Sequence, residues 1–263
     1  RVYDDFYAET NFADLMATSY DIEHKDNLTS ACASIEYEAC EASLILTGQS
    51  KTDVDWIASK FYGIEQGDVN KLWAVEGSVT PSAGEVVIDA HFALHDEINM
   101  EIGDTIDIIV GEEGVQTFTV IGIANSPLEL FYANPDSLLP QESTYVVAYM
   151  DAEVLAEVSG NEPLARNTLN IDLLGTPEFD FSDTEEIEGL ALQQIKGTLE
   201  QGMNASETDG YVLDRGQLSA ELLRLDKDAL SKAIPFILGI LLFISGLVIA
   251  VSLDRLIRTQ SRE

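Results

Sequence analysis

Residues Ala233 to Leu253, AIPFILGILLFISGLVIAVSL, carry no charge, and Ser245 and Ser252 are their only polar side chains. At about 1.5 Å of rise per residue, a helix of this length reaches about 30 Å, the hydrocarbon thickness of a bilayer. A buried helix of a water-soluble core keeps a polar stripe, whereas here every face is apolar. The stretch therefore predicts a transmembrane helix over 233–253, in contact with membrane lipid. It does not read as a secretory leader, since further chain follows it.

The flanks orient the span. Arg255, Arg258 and Arg262 follow it closely. Orientation tracks the Lys/Arg density beside a span rather than the net charge of a long domain. The reading makes residues 254–263 a cytoplasmic tail anchored by these arginines, and residues 1–232 extracytoplasmic. Arg224, Lys227 and Lys232 on the other flank soften the contrast. Arg1 is not an initiator residue, so the reading expects either a removed leader or, preferably, an upstream membrane helix.

Composition narrows the function classes. The outer portion holds 11 Lys/Arg against 45 Asp/Glu, and the whole chain has a formal charge of −33. Such a field repels nucleic acid and anionic lipid, and no basic patch exists for phosphates. Recurrent strand-like apolar runs argue against disorder. A folded surface this acidic points to a high-salt or marine setting, where ions screen its self-repulsion. There is no Gly-x-x-x-x-Gly-Lys-Ser/Thr phosphate cradle, Gly-x-Ser-x-Gly elbow or His-Glu-x-x-His helix in the sequence.

Taken in order, an aromatic and acidic opening runs into a strand over about 14–22. A helical turn around Asn27-Leu28-Thr29 follows. Next come a strand in EACEASLILTG, with Cys40, Ala42, Leu44 and Leu46 on one face, and a third in DVDWIASKFYGI. From Leu72 the texture changes. Strands are expected at Glu85–Asp89, Thr105–Val110 and Gln116–Ala124, with a short helix from Asp89 to Ile98 and a hairpin turn at Glu112-Glu113-Gly114. A strand at Thr144–Met150 leads to a helix N-capped by Asp151. Then come a strand at Asn167–Leu174, a helix from Ser182 or Asp183 to Met203, and a strand at Gly210–Leu213. Leu218, Leu222, Leu225 and Ala229 line one face of a helix from Gln217. Nothing breaks it before Pro235, so a rod over 217–258 would be about 63 Å long. The reading divides the chain into 1–71, 72–163, 164–216, a stalk helix over 217–232, the span and the tail.

Individual residues invite sharper readings. His91 and His95 stand four apart beside Asp89 and Asp96, a weak metal-ligand pair without a confident third ligand; a solvated helix face is the preferred reading. Cys32 and Cys40 fall outside the cell in this topology and are spaced for a disulfide across a turn, while Cys40 also fits as a small core residue. Asn27-Leu28-Thr29 and Asn204-Ala205-Ser206 have the form of N-glycosylation acceptors. Gly239, Gly246 and Ala250 lie on one helix face and suit close packing in the membrane. No resident cofactor is expected.

The ordered combination of Phe12-Ala-Asp-Leu15, VVIDAHFALHDEINMEIGDTIDI, FTVIGIANSP and the tail SLDRLIRTQSRE resembles the FtsX-like/MacB-like permeases of ABC transporters. The resemblance implies an α+β fold: a porter-like α/β extracytoplasmic domain (1–71 and 164–216) with a small inserted β-rich subdomain (72–163), and then the stalk and one transmembrane helix. It implies a non-catalytic permease subunit of the cell membrane. Such a subunit transmits the motion of a separate cytoplasmic ABC ATPase, beside a second copy or a homologous permease that the Gly239/Gly246/Ala250 face would meet. The alternatives are a single-pass receptor or adhesin ectodomain and, more remotely, a membrane-anchored hydrolase.

Overall fold

The computed structural model describes residues 2–52, 55–65, 67–130, 143–176 and 192–214, together with 225, 229, 231–246 and 248–249 toward the C-terminus. The chain forms two compact units, 1–220 and 221–263.

The first unit is a mixed, sheet-dominated α+β fold. Its elements in order are α1 (Val2–Glu9), β1 (Leu15–His24), α2 (Lys25–Ser30), β2 (Tyr37–Lys51), β3 (Trp56–Ile64), β4 (Trp73–Gly77), β5 (Glu85–Asp89), α3 (Ala90–Ala93), β6 (Thr105–Ile109), β7 (Val115–Asn125), β8 (Tyr145–Asp151), α4 (Ala152–Val158), β9 (Ala165–Leu173), α5 (Leu192–Ala205) and β10 (Gly210–Asp214). The strands run β10-β1-β9-β2-β3-β8-β5-β7-β4, with β6 bridging β2 and β7. Two of these pairings are parallel, β3 with β8 and β5 with β7.

Fifteen-residue β2 joins the two halves of the sheet. Its first part, from Tyr37 to Ser43, pairs with β9. The rest, from Leu44 to Lys51, pairs with β3, and its last three residues also pair with β6. Two apolar cores lie along this path. One gathers Leu15, Ala17, Leu28, Leu169, Ile171, Leu199 and Met203 between the β10-β1-β9-β2 strands and helices α2 and α5. The other gathers Leu44, Phe61, Val86, Ile88, Ile106, Phe118, Val120, Val146 and Leu155. The period of two puts alternate residues of one strand on opposite faces. Ala42 accordingly belongs to the first core, while Glu41 and Ser43 face the other side of the sheet.

Local chemistry fixes several boundaries. The Asp151 carboxylate accepts from the backbone N–H groups of Glu153 and Val154 and caps α4. Asp89 caps α3 in the same way through the N–H of His91. That helix ends at Ala93, short of the expected Ile98, because Leu94 leaves the helical region (φ −93°, ψ 4°) and the chain continues in turns. The opening is a helix, α1, where the sequence suggested only the approach to a strand. Strand β4 was not anticipated either; all five of its residues are exposed at the sheet's edge. An edge strand exposed on both faces has no apolar–polar alternation to reveal it.

In the second unit, residues 231–246 and 248–249 are helical, with Phe236 and Phe243 each 71% exposed. Among the described residues no helix is long and apolar enough to cross a membrane. Residues 247 and 250–253 of the expected span lie outside the described residues.

Candidate functional site

The sheet face opposite α2 and α5 carries a buried polar chain. The parallel register of β3 and β8 sets Tyr62 beside Tyr149, and their rings stack with centroids 5.4 Å apart. The Tyr149 hydroxyl donates to Asp89 Oδ2 at 2.9 Å, and Asp89 Oδ1 lies 2.8 Å from His91 Nδ1. On the other side, the Tyr62 hydroxyl donates to Glu129 Oε1. The same oxygen receives Lys60 Nζ at 2.7 Å, and this ammonium also sits 4.9 Å from the Tyr62 ring centroid. Imidazole, carboxylate, two stacked phenols, carboxylate and ammonium thus follow one another through the fold.

Asp89, Tyr149, Tyr62 and Glu129 are 0%, 1%, 3% and 6% exposed. Burial raises the Asp89 carboxyl above the ordinary carboxylate range, and its contacts with His91 and Tyr149 only partly offset this. Burial also pushes the Tyr62 hydroxyl well up, reinforced by Glu129, and the Tyr149 hydroxyl well up, reinforced by Asp89 and Glu129. Tyr145 is raised first by burial and then by Glu129. All three phenols therefore stay protonated, and Tyr62 and Tyr149 serve the carboxylates as donors.

Beside this chain opens a cavity of about 300 Å³. Tyr62, Tyr149, Ser43, Asn170, Glu41 and Glu65 line it, with apolar side chains from the 64–72, 79–81 and 126–128 segments. The loop after β3 is folded onto this face by side chains of the sheet. The Glu41 carboxylate accepts from the N–H groups of Asp68, at 2.5 Å, and Val69. Asn70, at a φ of 52°, accepts from Ala13 N–H and donates to Asn170, which in turn donates to Ser43. Glu65 receives Arg166, 1% exposed, through both Nε and Nη2, and Lys25 at 2.5 Å. Arg166 Nη1 also donates to the carbonyls of Pro163 and Ala165. Beside Ser43 and Ser126 the lining also carries Glu41, Glu65, Asp151 and Lys71. The cavity is equipped for binding through amides, carboxylates and ring surfaces.

The residues singled out in the sequence are distributed as follows. His91 joins the buried chain through Asp89, whereas His95 Nδ1 accepts from the N–H of Glu97. Among the described residues no three His, Cys, Asp or Glu side chains converge on a metal position. Cys32 and Cys40 are joined in a disulfide that ties the turn after α2 to β2. Gly239 and Gly246 lie in the C-terminal helix with nothing within 4 Å of where a Cβ would stand. Ala250, Arg255, Arg258 and Arg262 lie outside the described residues. Sequence reasoning missed Lys60, Tyr62, Glu129 and Tyr149. The available signal was period-two spacing, which puts Lys60, Tyr62 and Ile64 on one strand face and Tyr145 and Tyr149 on another.

No protein-family model and no curated protein matches the chain. Among solved structures, it is similar to the extracellular domain of YknZ, a noncanonical ABC-type transporter from Gram-positive bacteria. The identity is 12% and the TM-score 0.47, over 77% of this chain and 98% of that one. It is also similar to the periplasmic region of MacB from Actinobacillus actinomycetemcomitans, with 10% identity and a TM-score of 0.47, over 81% of this chain and 92% of that one.

Proposed function

We propose that this chain is the extracytoplasmic domain and adjoining membrane helix of an ABC transporter permease. It would move with a partner cytoplasmic ATPase and contribute no catalysis of its own. The observation that carries the reading is the order of parts along the chain: an acidic, sheet-built body precedes a charge-free stretch, 233–253, whose described residues are helical. The motif order from Phe12 to Pro127 supports the same family. In this reading the helix spans the bilayer, the arginine tail is cytoplasmic, and residues 72–163 form a small subdomain set into a porter-like body (1–71 and 164–216). A second permease copy or a homologous permease completes the membrane assembly. The cavity beside Tyr62 and Tyr149 is then a surface feature of a moving outer domain.

The test is motion coupled to ATP. The complete permease is reconstituted with its ATPase in liposomes, with a spin label at Glu113→Cys on the exposed hairpin tip of each outer domain. Trapping the ATP-bound state should shift the label-to-label distance by several times the width of its unliganded distribution. An unchanged distribution, with ATP hydrolysis intact, would overturn mechanical transmission through this domain.

A further inference from the structure

Two acceptor sequences far apart in the chain, Asn27-Leu28-Thr29 and Asn204-Ala205-Ser206, meet on the helical side of the sheet. The first lies in α2 and the second at the end of α5. Ser30, next to the first, and Ser206, within the second, are joined hydroxyl to hydroxyl at 2.7 Å. We infer that Asn27 and Asn204 form a paired N-glycosylation site on this face, an inference that rests on the extracytoplasmic reading above.

Both asparagines are exposed, and among the described residues neither carboxamide has a hydrogen-bond partner. The side-chain amides of Asn11, Asn70, Asn161, Asn167 and Asn170, by contrast, are each held by another group. The two sequons thus occur where the asparagine has no structural task.

The chemistry needs a glycan activated on a polyprenyl phosphate carrier. The Asn Nδ2 attacks the anomeric carbon, a C–N bond forms, and the C–O bond to phosphate breaks. The phosphate departs with the electron pair, and the amide nitrogen loses one proton.

Transferase access requires the sequon to be drawn out of its helix, because Thr29 Oγ1 donates to Lys25 O at 2.9 Å and Ser206 Oγ to Gly202 O at 3.1 Å. Both places lie within a turn of a helix end. Helix α2 has six residues, far below the length at which a helix holds itself. Asn204 is the penultimate residue of α5, where helices fray. Modification therefore precedes or accompanies the final closure of this layer. The sugars then project from the α2/α5 side, away from the cavity.

The full chain, produced in its own cells, is digested with trypsin, and the peptides spanning 26–51 and 197–215 are weighed. In the same cells, Glu113→Cys is treated from outside with a membrane-impermeant maleimide. The expected result is a glycan mass on both peptides, with Asn27→Gln and Asn204→Gln each removing one and the double variant migrating as the unmodified chain. Unmodified asparagine at either position, while Glu113→Cys is labelled from outside, overturns the paired site and leaves the topology standing. Labelling only after the membrane is permeabilised overturns the topology, and the paired site with it.

Discussion

Asp89 shows how a single residue couples the buried polar chain to stability. It is fully buried, caps α3, accepts from Tyr149 and contacts His91. Burial raises its carboxyl in the folded chain, so the folded state holds this proton to higher pH than the unfolded state does. Through this group, stability falls as pH rises from the unfolded value near 4 through the raised folded value. Each unit of that interval corresponds to about 1.4 kcal/mol. Asp89→Asn keeps an oxygen for Tyr149 and removes the titration. Its stability relative to the parent, read from urea midpoints, should therefore climb between pH 4 and pH 7. If the contact with His91 dominated instead, the parent would gain on the variant over the same range, and the burial argument would fail. Asp89 and His91 stood out in the sequence as a carboxylate and an imidazole two residues apart. Their partners did not, because Tyr149 and Tyr62 are brought together by a parallel pairing between strands more than eighty residues apart, which no local period announces.

Among the elements, strands marked by a run or an alternation of buried apolar residues were legible: β5, β6, β7 and β8 lie within a residue of their expected bounds, and Asp151 sits at its cap. Helix α1 was read only as the approach to a strand, and strand β4 was not legible, since all five of its residues are exposed. Order along the sheet was hidden too. Strand β2 serves β9, β3 and β6 in succession, and that depends on how closely backbones can approach. Gly48 permits one such approach, because a Cβ there would stand 2.2 Å from the carbonyl oxygen of Ile109 on β6. Gly48→Ala should cost about 1–3 kcal/mol by forcing β2 and β6 apart. Gly197, inside α5 with open space around it, gives the opposite sign. Gly197→Ala should stabilise by up to about 1 kcal/mol. Equal and small effects in both variants, measured by denaturant unfolding, would mean that the β2–β6 contact is loose. The C-terminal helix yields a prediction of the same kind. Small residues let helix backbones meet in lipid, where no hydrophobic gain drives association. In the complete transporter, cysteine crosslinks scanned over 238–250 should peak on the Gly239/Gly246/Ala250 face, and Gly246→Leu should uncouple ATP hydrolysis from transport. Crosslinks that peak on the opposite face, or normal transport by Gly246→Leu, would make the glycine face a lipid-facing one.

For the whole molecule, charge outweighs any single contact. The net charge of −33 comes entirely from the part before residue 233, and few cations are available to offset it. Those forming ion pairs in the described body include Lys25 and Arg166 on Glu65, Lys60 on Glu129 and Lys71 on Asp68. The 11 cations before residue 233 are thus far outnumbered by the 45 carboxylates there. Folding draws them closer than in the unfolded chain, so repulsion works against the compact state. Added salt shortens its reach, from a Debye length of about 10 Å at 0.1 M to about 3 Å at 1 M. The melting temperature of the outer body should rise by at least about 5 °C between these NaCl concentrations, since about 1 kcal/mol shifts a body of this size by about 2–4 °C. The shape of the curve identifies the cause. Screening acts steeply at low salt and levels off once the Debye length falls below the spacing between charges. Exclusion of salt from apolar surface continues to strengthen burial as concentration rises. A rise that flattens by about 1 M, and that weakens when a cluster of exposed acids such as Glu112, Glu113 and Glu157 is changed to Gln, assigns the effect to repulsion. A flat curve, or a linear one unaffected by those substitutions, would show that the acidic surface does not limit the stability of this fold.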